Sequence, residues 1–426
     1  MALEPTPRAL LSPYRVLDLS DEKGFLCGKI LGDMGADVIK IERPGGDPAR
    51  RIGPFFRDEP DPEKSLYWFA FNTNKRGITL NIEAADGRDL FKRLVRASDF
   101  VIESHEPGTM EALGLGYPDL EKINPGVIVV SITPFGQTGP YIEKQYRATD
   151  MILWALSGAM SISGDPDRPP NQITFPHAYL HGGAEGAQAA MTALYARSVI
   201  GRGQHVDVSI QECLPMCTMN AMQFWDMYKI NLPRGVYKRG AVRPDGSRLY
   251  NPWLWPCKDG WVFLMIGGGV LRPLVLSSTA LAGWMAEEGA AGGLESYDWA
   301  AMDSATVTQE EIDRLRSVFG PFLMTRTMAE LYEEAIKRKI LLAPVNDPRG
   351  IAESPQLEAR GFYVEIEHPE LGATLKYCGP WAQLSHTPLA HWTRAPLIGE
   401  HNREIYEEEL GLSREQTTTL EKTGVI

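Results

Sequence analysis

The strongest constraint on the fold lies near the start of the chain. Residues 15–19 (RVLDL) form a short apolar run, residues 24–35 (GFLCGKILGDMG) read as a helix closed by Gly35, and residues 37–42 (DVIKIE) alternate apolar and polar side chains. This spacing suits a parallel βαβ crossover, in which the helix returns the chain so that the second strand runs in the same direction. The pattern continues with ITLNI (78–82), a helix over 85–97, DFVIES (99–104) and GVIVVSITPF (126–135). Strands alternating with helices predict a doubly wound, Rossmann-like α/β sheet.

A long helix of small residues is expected over 182–198 (GGAEGAQAAMTALYARS), closed by GRG and followed by a strand at 204–210 (QHVDVSI). After about residue 230 the texture changes. Residues 231–260 are rich in Pro, Gly, Arg and Trp, the strand GWVFLMIG (260–267) follows, and helices are expected over 309–340. The expected organisation is a large α/β domain beginning with residues 1–228, a smaller α/β domain over 229–340, and a C-terminal part, 341–426, that returns to the large domain.

Net charge narrows the partners. The 55 acids outweigh the 43 lysines and arginines, giving −12, so the surface as a whole repels nucleic acid and anionic lipid. An anionic ligand then needs local basic groups. No apolar run long enough to span a membrane appears, and the N-terminus lacks the pattern of a signal peptide. The five scattered cysteines suit a reducing compartment, and the expected location is the cytoplasm. Cys213 and Cys217 lie at helical spacing, but no second Cys or His pair completes a zinc site, so they read as packing.

Three motifs invite a chemical reading. Glu42 ends the second strand about where a ribose-binding acid would sit, yet SDEKGFLCG offers Gly24 and Gly28 without G-x-G-x-x-G, so no dinucleotide cofactor is expected. His177, His181 and Glu185 fall at i, i+4 and i+8, a conceivable metal triad. Gly182 and Gly183 are expected to fray a helix there, and no metal is expected. Lys75 and Arg76, in a turn before strand 78–82, and Arg43, just beyond strand 37–42, are placed where α/β folds bind anions.

Six segments carry a resemblance: 17–50 (LDLSDEKGFLCGKILGDMGADVIKIERPGGDPAR), 72–82 (NTNKRGITLNI), 99–141, 155–164 (ALSGAMSISG), 201–212 (GRGQHVDVSIQE) and 395–401 (APLIGEH). In order and spacing the chain resembles the family III CoA-transferases over nearly its whole length. The resemblance implies a Rossmann-like large domain with a smaller α/β domain, two subunits interlocked as rings, CoA thioesters and carboxylic acids as substrates, and no permanently bound cofactor. It implies CoA contacts at Arg43 and Arg147, to which the basic pair Lys75 and Arg76 is added. Two other basic positions of the family carry Glu83 and Ala112 here.

The resemblance also implies a nucleophilic Asp, which attacks the donor thioester to give a mixed anhydride and then an enzyme thioester. That Asp lies 22 residues before the first Gly of G-R-G-Q, and Tyr179 occupies the position here. A phenol with a pKa near 10 does not take over this chemistry. The chain therefore resembles the non-catalytic subunit of the two-subunit members that act on aromatic succinates such as (R)-benzylsuccinate. The partner expected is an Asp-bearing paralogue. The alternatives are a homodimer using a displaced carboxylate, Glu185 or Asp150; a racemase, whose His position is Thr149; and an acyl-CoA-binding protein without turnover. Trp253 and Trp255 are candidates for an aromatic acyl pocket, or for ordinary packing.

Overall fold

A computed structural model describes residues 9–165, 168–232, 234, 249–303, 306–389 and 392–426. Much of the Pro- and Gly-rich stretch 231–260 lies outside the described residues. Six strands, β1 (Arg15–Asp18), β2 (Asp37–Glu42), β3 (Lys75–Thr79), β4 (Phe100–Glu103), β5 (Ile128–Thr133) and β6 (His205–Ser209), form one parallel sheet in the order β3-β2-β1-β4-β5-β6. This is the doubly wound order, in which the chain reverses its direction of travel between β1 and β4 and opens a crevice at their carboxyl ends.

The strands read as apolar runs because both faces of the sheet are covered. On one face Val16, Val38, Phe100, Ile102, Val130 and Ile132 pack with Cys27 and Leu31 of α1 (Phe25–Asp33) and with Ala187 and Ala190 of the long helix His177–Ile200. Their alternates Leu17, Ile39, Val101 and Val129 pack on the other face with Leu90, Phe91 and Leu94 of the helix Ala85–Val95, and with Ile405 and Tyr406 from the end of the chain. Each such large side chain contributes about 1.5–3 kcal/mol on burial.

Two expectations shift. The third strand starts at Lys75, three residues early, because its register with β2 runs from Val38↔Lys75 to Glu42↔Thr79. The stretch beyond it turns away, and the Asn81 N–H donates to the Val425 carbonyl at 2.7 Å. The long helix begins at His177 and runs through Gly182 and Gly183 without fraying. Packing overrides the low helix propensity of glycine. A Cβ at Gly183 would stand 2.8 Å from the Leu26 Cβ, and one at Gly182 2.7 Å from Ile210, so the two glycines let the long helix lie close on α1 and on Ile210.

The chain forms two compact units. The first holds the sheet and comprises Met1–Met160, Gln172–Asn231 and Gln356–Ile426; it also carries an antiparallel pair, Tyr363–His368 with Ala373–Cys378. The second comprises Ser161–Asn171 and Leu232–Pro355. It is built on the antiparallel strands Leu254–Pro256, Trp261–Leu264 and Leu342–Pro344, with a core of Trp284, Phe319, Phe322 and Leu331 from its helices. Among the described residues no helix is long and apolar enough to cross a membrane.

Candidate functional site

The crevice is formed by what leaves each strand. The Asp21 N–H, just after β1, donates to the Ser104 hydroxyl at 2.8 Å, and that hydroxyl donates back to the Asp21 carboxylate at 2.7 Å. These two bonds tie the loop after β1 to the loop after β4 across the switch point. A cavity of about 630 Å³ opens there, walled also by the loops after β2 and β3.

The cavity's charge is unusual for an anion site. Its walls include Asp21, Glu22, Glu42, Asp47 and Glu83, against Arg43 as the guanidinium. Glu42 is neutralised by Arg50, whose Nε and Nη2 donate to the two carboxylate oxygens at 2.6 and 2.8 Å. Glu42 also accepts the Asp47 N–H at 2.8 Å, so it serves the fold and not a ribose. Asp21 is paired with Lys23. The Asp47 carboxylate accepts the Ala49 N–H at 2.8 Å; burial raises its pKa and Lys40 opposes the rise. Glu22 is half-buried and Glu83 exposed, and neither carboxylate forms an ion pair or a hydrogen bond with another described residue. Burial, reinforced by Asp21, raises the pKa of Glu22, and Lys23 and the residue's own backbone N–H oppose the rise.

Tyr179 stands in the first turn of the long helix. Burial pushes its phenol well above the ordinary value, and Glu22, Asp150 and Asp21 push it further, so it stays a neutral phenol. Tyr67, on the helix Leu66–Phe71, is raised by the same causes, burial first and then Glu22, with Tyr179 next. Glu22 thus belongs electrostatically both to the cavity and to the two phenols. Asp150 accepts the Tyr179 N–H at 3.1 Å, which caps the start of the long helix as well as lying in the first turn of its own helix, Asp150–Leu156. Glu185 acts on Cys213, whose thiol is pushed up to about 12 chiefly by burial.

The expected anion-binding residues do not converge. Arg43 follows the carboxyl end of β2, is exposed and makes no ion pair or hydrogen bond with a described residue. Lys75 and Arg76 open β3 at the opposite end of the sheet. Lys75 is fully buried: its ammonium donates to Asp18 at 2.8 Å, to the Asn72 side chain at 2.9 Å and to the Phe25 carbonyl at 3.1 Å. Burial would raise the Asp18 carboxyl, but Lys40, Lys75 and the hydrogen bonds from Lys75 and Ser20 hold it below the ordinary carboxylate range. Arg76 pairs with Asp37 at 2.7 Å and with Glu404 and Glu409 at 2.6 Å each. Both cations are committed to the fold, because the strand begins earlier than the apolar run suggests. Arg147 is exposed in the segment before Asp150 and lies off the cavity wall.

The remaining candidates separate too. His181 lies beside Cys217, whose sulfur is 3.6 Å from Nε2, and no group of three metal-ligating side chains converges among the described residues. Trp255 is buried, its indole N–H donating to the Leu264 carbonyl at 3.2 Å, whereas Trp253 lines a cavity of about 510 Å³ inside the second unit, beside Gly267 and Gly268. Glu22 is the residue that sequence reasoning missed. Its signal was present in SDEKG, which was read only for the glycines it lacks.

Comparison with known proteins places this geometry. The family model described as CoA-transferase family III matches residues 11–402. The chain is 35% identical to the succinyl-CoA:(R)-benzylsuccinate CoA-transferase subunit BbsE of Thauera aromatica, over 93% of each chain. It is 30% identical to the succinyl-CoA–L-malate CoA-transferase beta subunit of Chloroflexus aurantiacus, over 98% of each. A crystal structure of a CaiB/BaiF family protein from Brucella suis superposes with a TM-score of 0.78 at 27% identity, covering 93% of this chain and 98% of that one.

Proposed function

The chain belongs to CoA-transferase family III, and from that premise we propose that it is one of two unlike subunits of a CoA-transferase, the one that lacks the family's carboxylate nucleophile. The observation that carries this reading is Tyr179. It stands in the first turn of the long helix, at the position the resemblance assigns to Asp, and its environment keeps it a neutral phenol. A phenol cannot pass through the mixed anhydride by which a carboxylate exchanges acyl and CoA groups. The partner is an Asp-bearing paralogue, which supplies that step.

Two relatives support the arrangement, since both are named as subunits. The BbsE relative suggests the substrates: succinyl-CoA as donor and an aromatic succinate as acceptor. The displaced-carboxylate alternative loses ground, because Asp150 is engaged with the helix start and Glu185 is not among the residues that line the cavity. Free thiols at all five cysteines suit the cytoplasm. The test is co-purification of this chain with an Asp-bearing paralogue, followed by measurement of CoA transfer from succinyl-CoA to benzylsuccinate. Transfer that requires both chains, and is lost when the paralogue's Asp is changed to Ala, is the expected result. Full-rate transfer by this chain alone would overturn the reading.

A further inference from the structure

We propose that the cavity inside the second unit is the binding site for the uncharged aryl end of the acceptor acid, with Trp253 as the residue that sets the preference for aromatic acceptors. The inference rests on the acceptor class proposed above and adds the place and the side chain that recognise it.

One loop builds the cavity. The strand Trp261–Leu264 runs on into Met265, Ile266 and Gly267, and three hydrogen bonds fix the chain there. The Asn251 side-chain amide donates to the Ile266 carbonyl at 3.0 Å, the Gly267 N–H donates to the Ser278 hydroxyl at 3.2 Å, and that hydroxyl donates to the Gly267 carbonyl at 2.8 Å. Beyond Gly267 the backbone lies so close on residues 299–302 that only glycine fits. A Cβ at Gly268 would stand 1.8 Å from the Trp299 carbonyl oxygen, and one at Gly269, where φ is +68°, 2.6 Å from that of Met302. The Gly269 N–H donates to the Trp299 carbonyl at 2.9 Å. The loop is held from both sides, so the hollow beside it is preformed, as ligand sites usually are.

Size and lining separate this hollow from a packing fault. At about 510 Å³ it far exceeds the voids that close-packed interiors leave. Trp253, Met265, Leu271, Leu274, Met302 and Ile312 line it, all within the second unit. The charged residue on its wall, among the described residues, is Asp303. An acid beside an apolar hollow disfavours a carboxylate or a phosphate, by repulsion and by lost hydration, and leaves the space to an uncharged group. The two tryptophans of NPWLWP part company here. Trp255 is buried in the core, whereas Trp253 is half-buried, packs edge-on against Phe263 with ring centroids 5.9 Å apart, and lines the cavity. An indole flanked by the thioethers of Met265 and Met302 favours an aryl ring over an aliphatic group, through ring pairing and sulfur–aromatic contact. Benzylsuccinate, the acid in the name of the BbsE relative, has such an end: a phenyl ring one carbon from the succinate that carries its charge.

The test compares two acceptors that differ by the ring. In whichever assembly transfers CoA from succinyl-CoA, this chain alone or its complex, kcat/KM is measured for benzylsuccinate and for methylsuccinate with wild type, Trp253→Leu and Trp253→Phe. Trp253→Leu is expected to lower the ratio of benzylsuccinate to methylsuccinate at least about tenfold, within the range a hydrophobic pocket discriminates, and Trp253→Phe to keep it within about threefold of wild type. A merely structural indole would lower both acceptors together, so a ratio unmoved by Trp253→Leu would overturn the proposal. A loss with Trp253→Phe as large as with Trp253→Leu would overturn it too. Where a variant does not fold, a crystal structure of the wild-type assembly with benzylsuccinate decides: the ring in this cavity sustains the proposal, and the ring elsewhere overturns it. An unmoved ratio in a complex that needs both chains sinks this inference alone. A moved ratio in this chain without a partner sinks the two-subunit reading and leaves the inference standing. No transfer to benzylsuccinate by either assembly overturns the acceptor class and the inference with it.

Discussion

The two ends of the parallel sheet treat charge in opposite ways. At the amino end the openings of β1, β2 and β3 are closed by partners within the chain: Arg15 and Arg76 share Asp37, each at 2.7 Å, and both also reach Glu409. Across the sheet, Asp18, the last residue of β1, answers Lys75, the first of β3, with no exposure of either side chain. At the carboxyl end Arg43 and Glu83 face a cavity without ion-pair partners among the described residues, and Glu22 there is opposed only by Lys23 and its own backbone N–H. Charge that holds a fold is satisfied from inside, and charge meant for a ligand is left open.

The comparison breaks most visibly at Asp18. Changing Asp18 to Asn leaves the fully buried ammoniums of Lys40 and Lys75 without their carboxylate, and removing one partner of such a group costs about 3–5 kcal/mol. A denaturant titration reads it. The acid limb carries the same signature. Because the folded carboxyl lies below its ordinary 3.8, its contribution is complete above that value and is lost as the pH falls through the lower folded value. The variant's stability should therefore fall less steeply in acid than wild type's.

A smaller loss is expected between the two ends, where the long helix rests on α1. Gly183→Ala places a Cβ 2.8 Å from Leu26 and 3.2 Å from the Cys27 nitrogen, an overpacking that costs about 1–3 kcal/mol. Thermal melting checks it. Arg76→Ala at the amino end opens a half-exposed ion-pair network, and the expected cost is about 1 kcal/mol, shrinking in high salt. No shrinkage with salt would mean that Arg76 acts through packing.

At the cavity the sign reverses. Glu22 has a folded pKa above its ordinary 4.5, so its protonated form favours the fold below that value, and the preference is lost as the pH rises through the folded value. Glu22→Gln is expected to raise the melting temperature slightly at pH 7 and to change little near pH 4. A drop at pH 7 would show that the carboxylate has a partner and that the contrast between the two ends is false.

How much of this was legible before the fold was known depends on distance along the chain. The alternation in DVIKIE and the apolar run in RVLDL act over a few residues, and the β1-α1-β2 unit follows from them. Lys75 was misplaced because its partner Asp18 lies 57 residues away and because the strand begins at polar residues that only the β2 register explains. Gly182 and Gly183 looked like a fraying point because glycine propensity is local, whereas the contacts they permit, with Ile210 and with Leu26, come from elsewhere in the chain. Tyr179 stands out only against the resemblance, and the place of Glu22 beside both the cavity and the phenols of Tyr67 and Tyr179 was not legible at all. A carboxylate's surroundings come from everything packed around it.

The most direct measurement is CoA transfer from succinyl-CoA to benzylsuccinate by this chain alone and by its complex with an Asp-bearing paralogue. The account predicts transfer by the complex, none at a comparable rate by the chain alone, and loss when the paralogue's Asp becomes Ala. Transfer by the chain alone at the rate of the complex would contradict it.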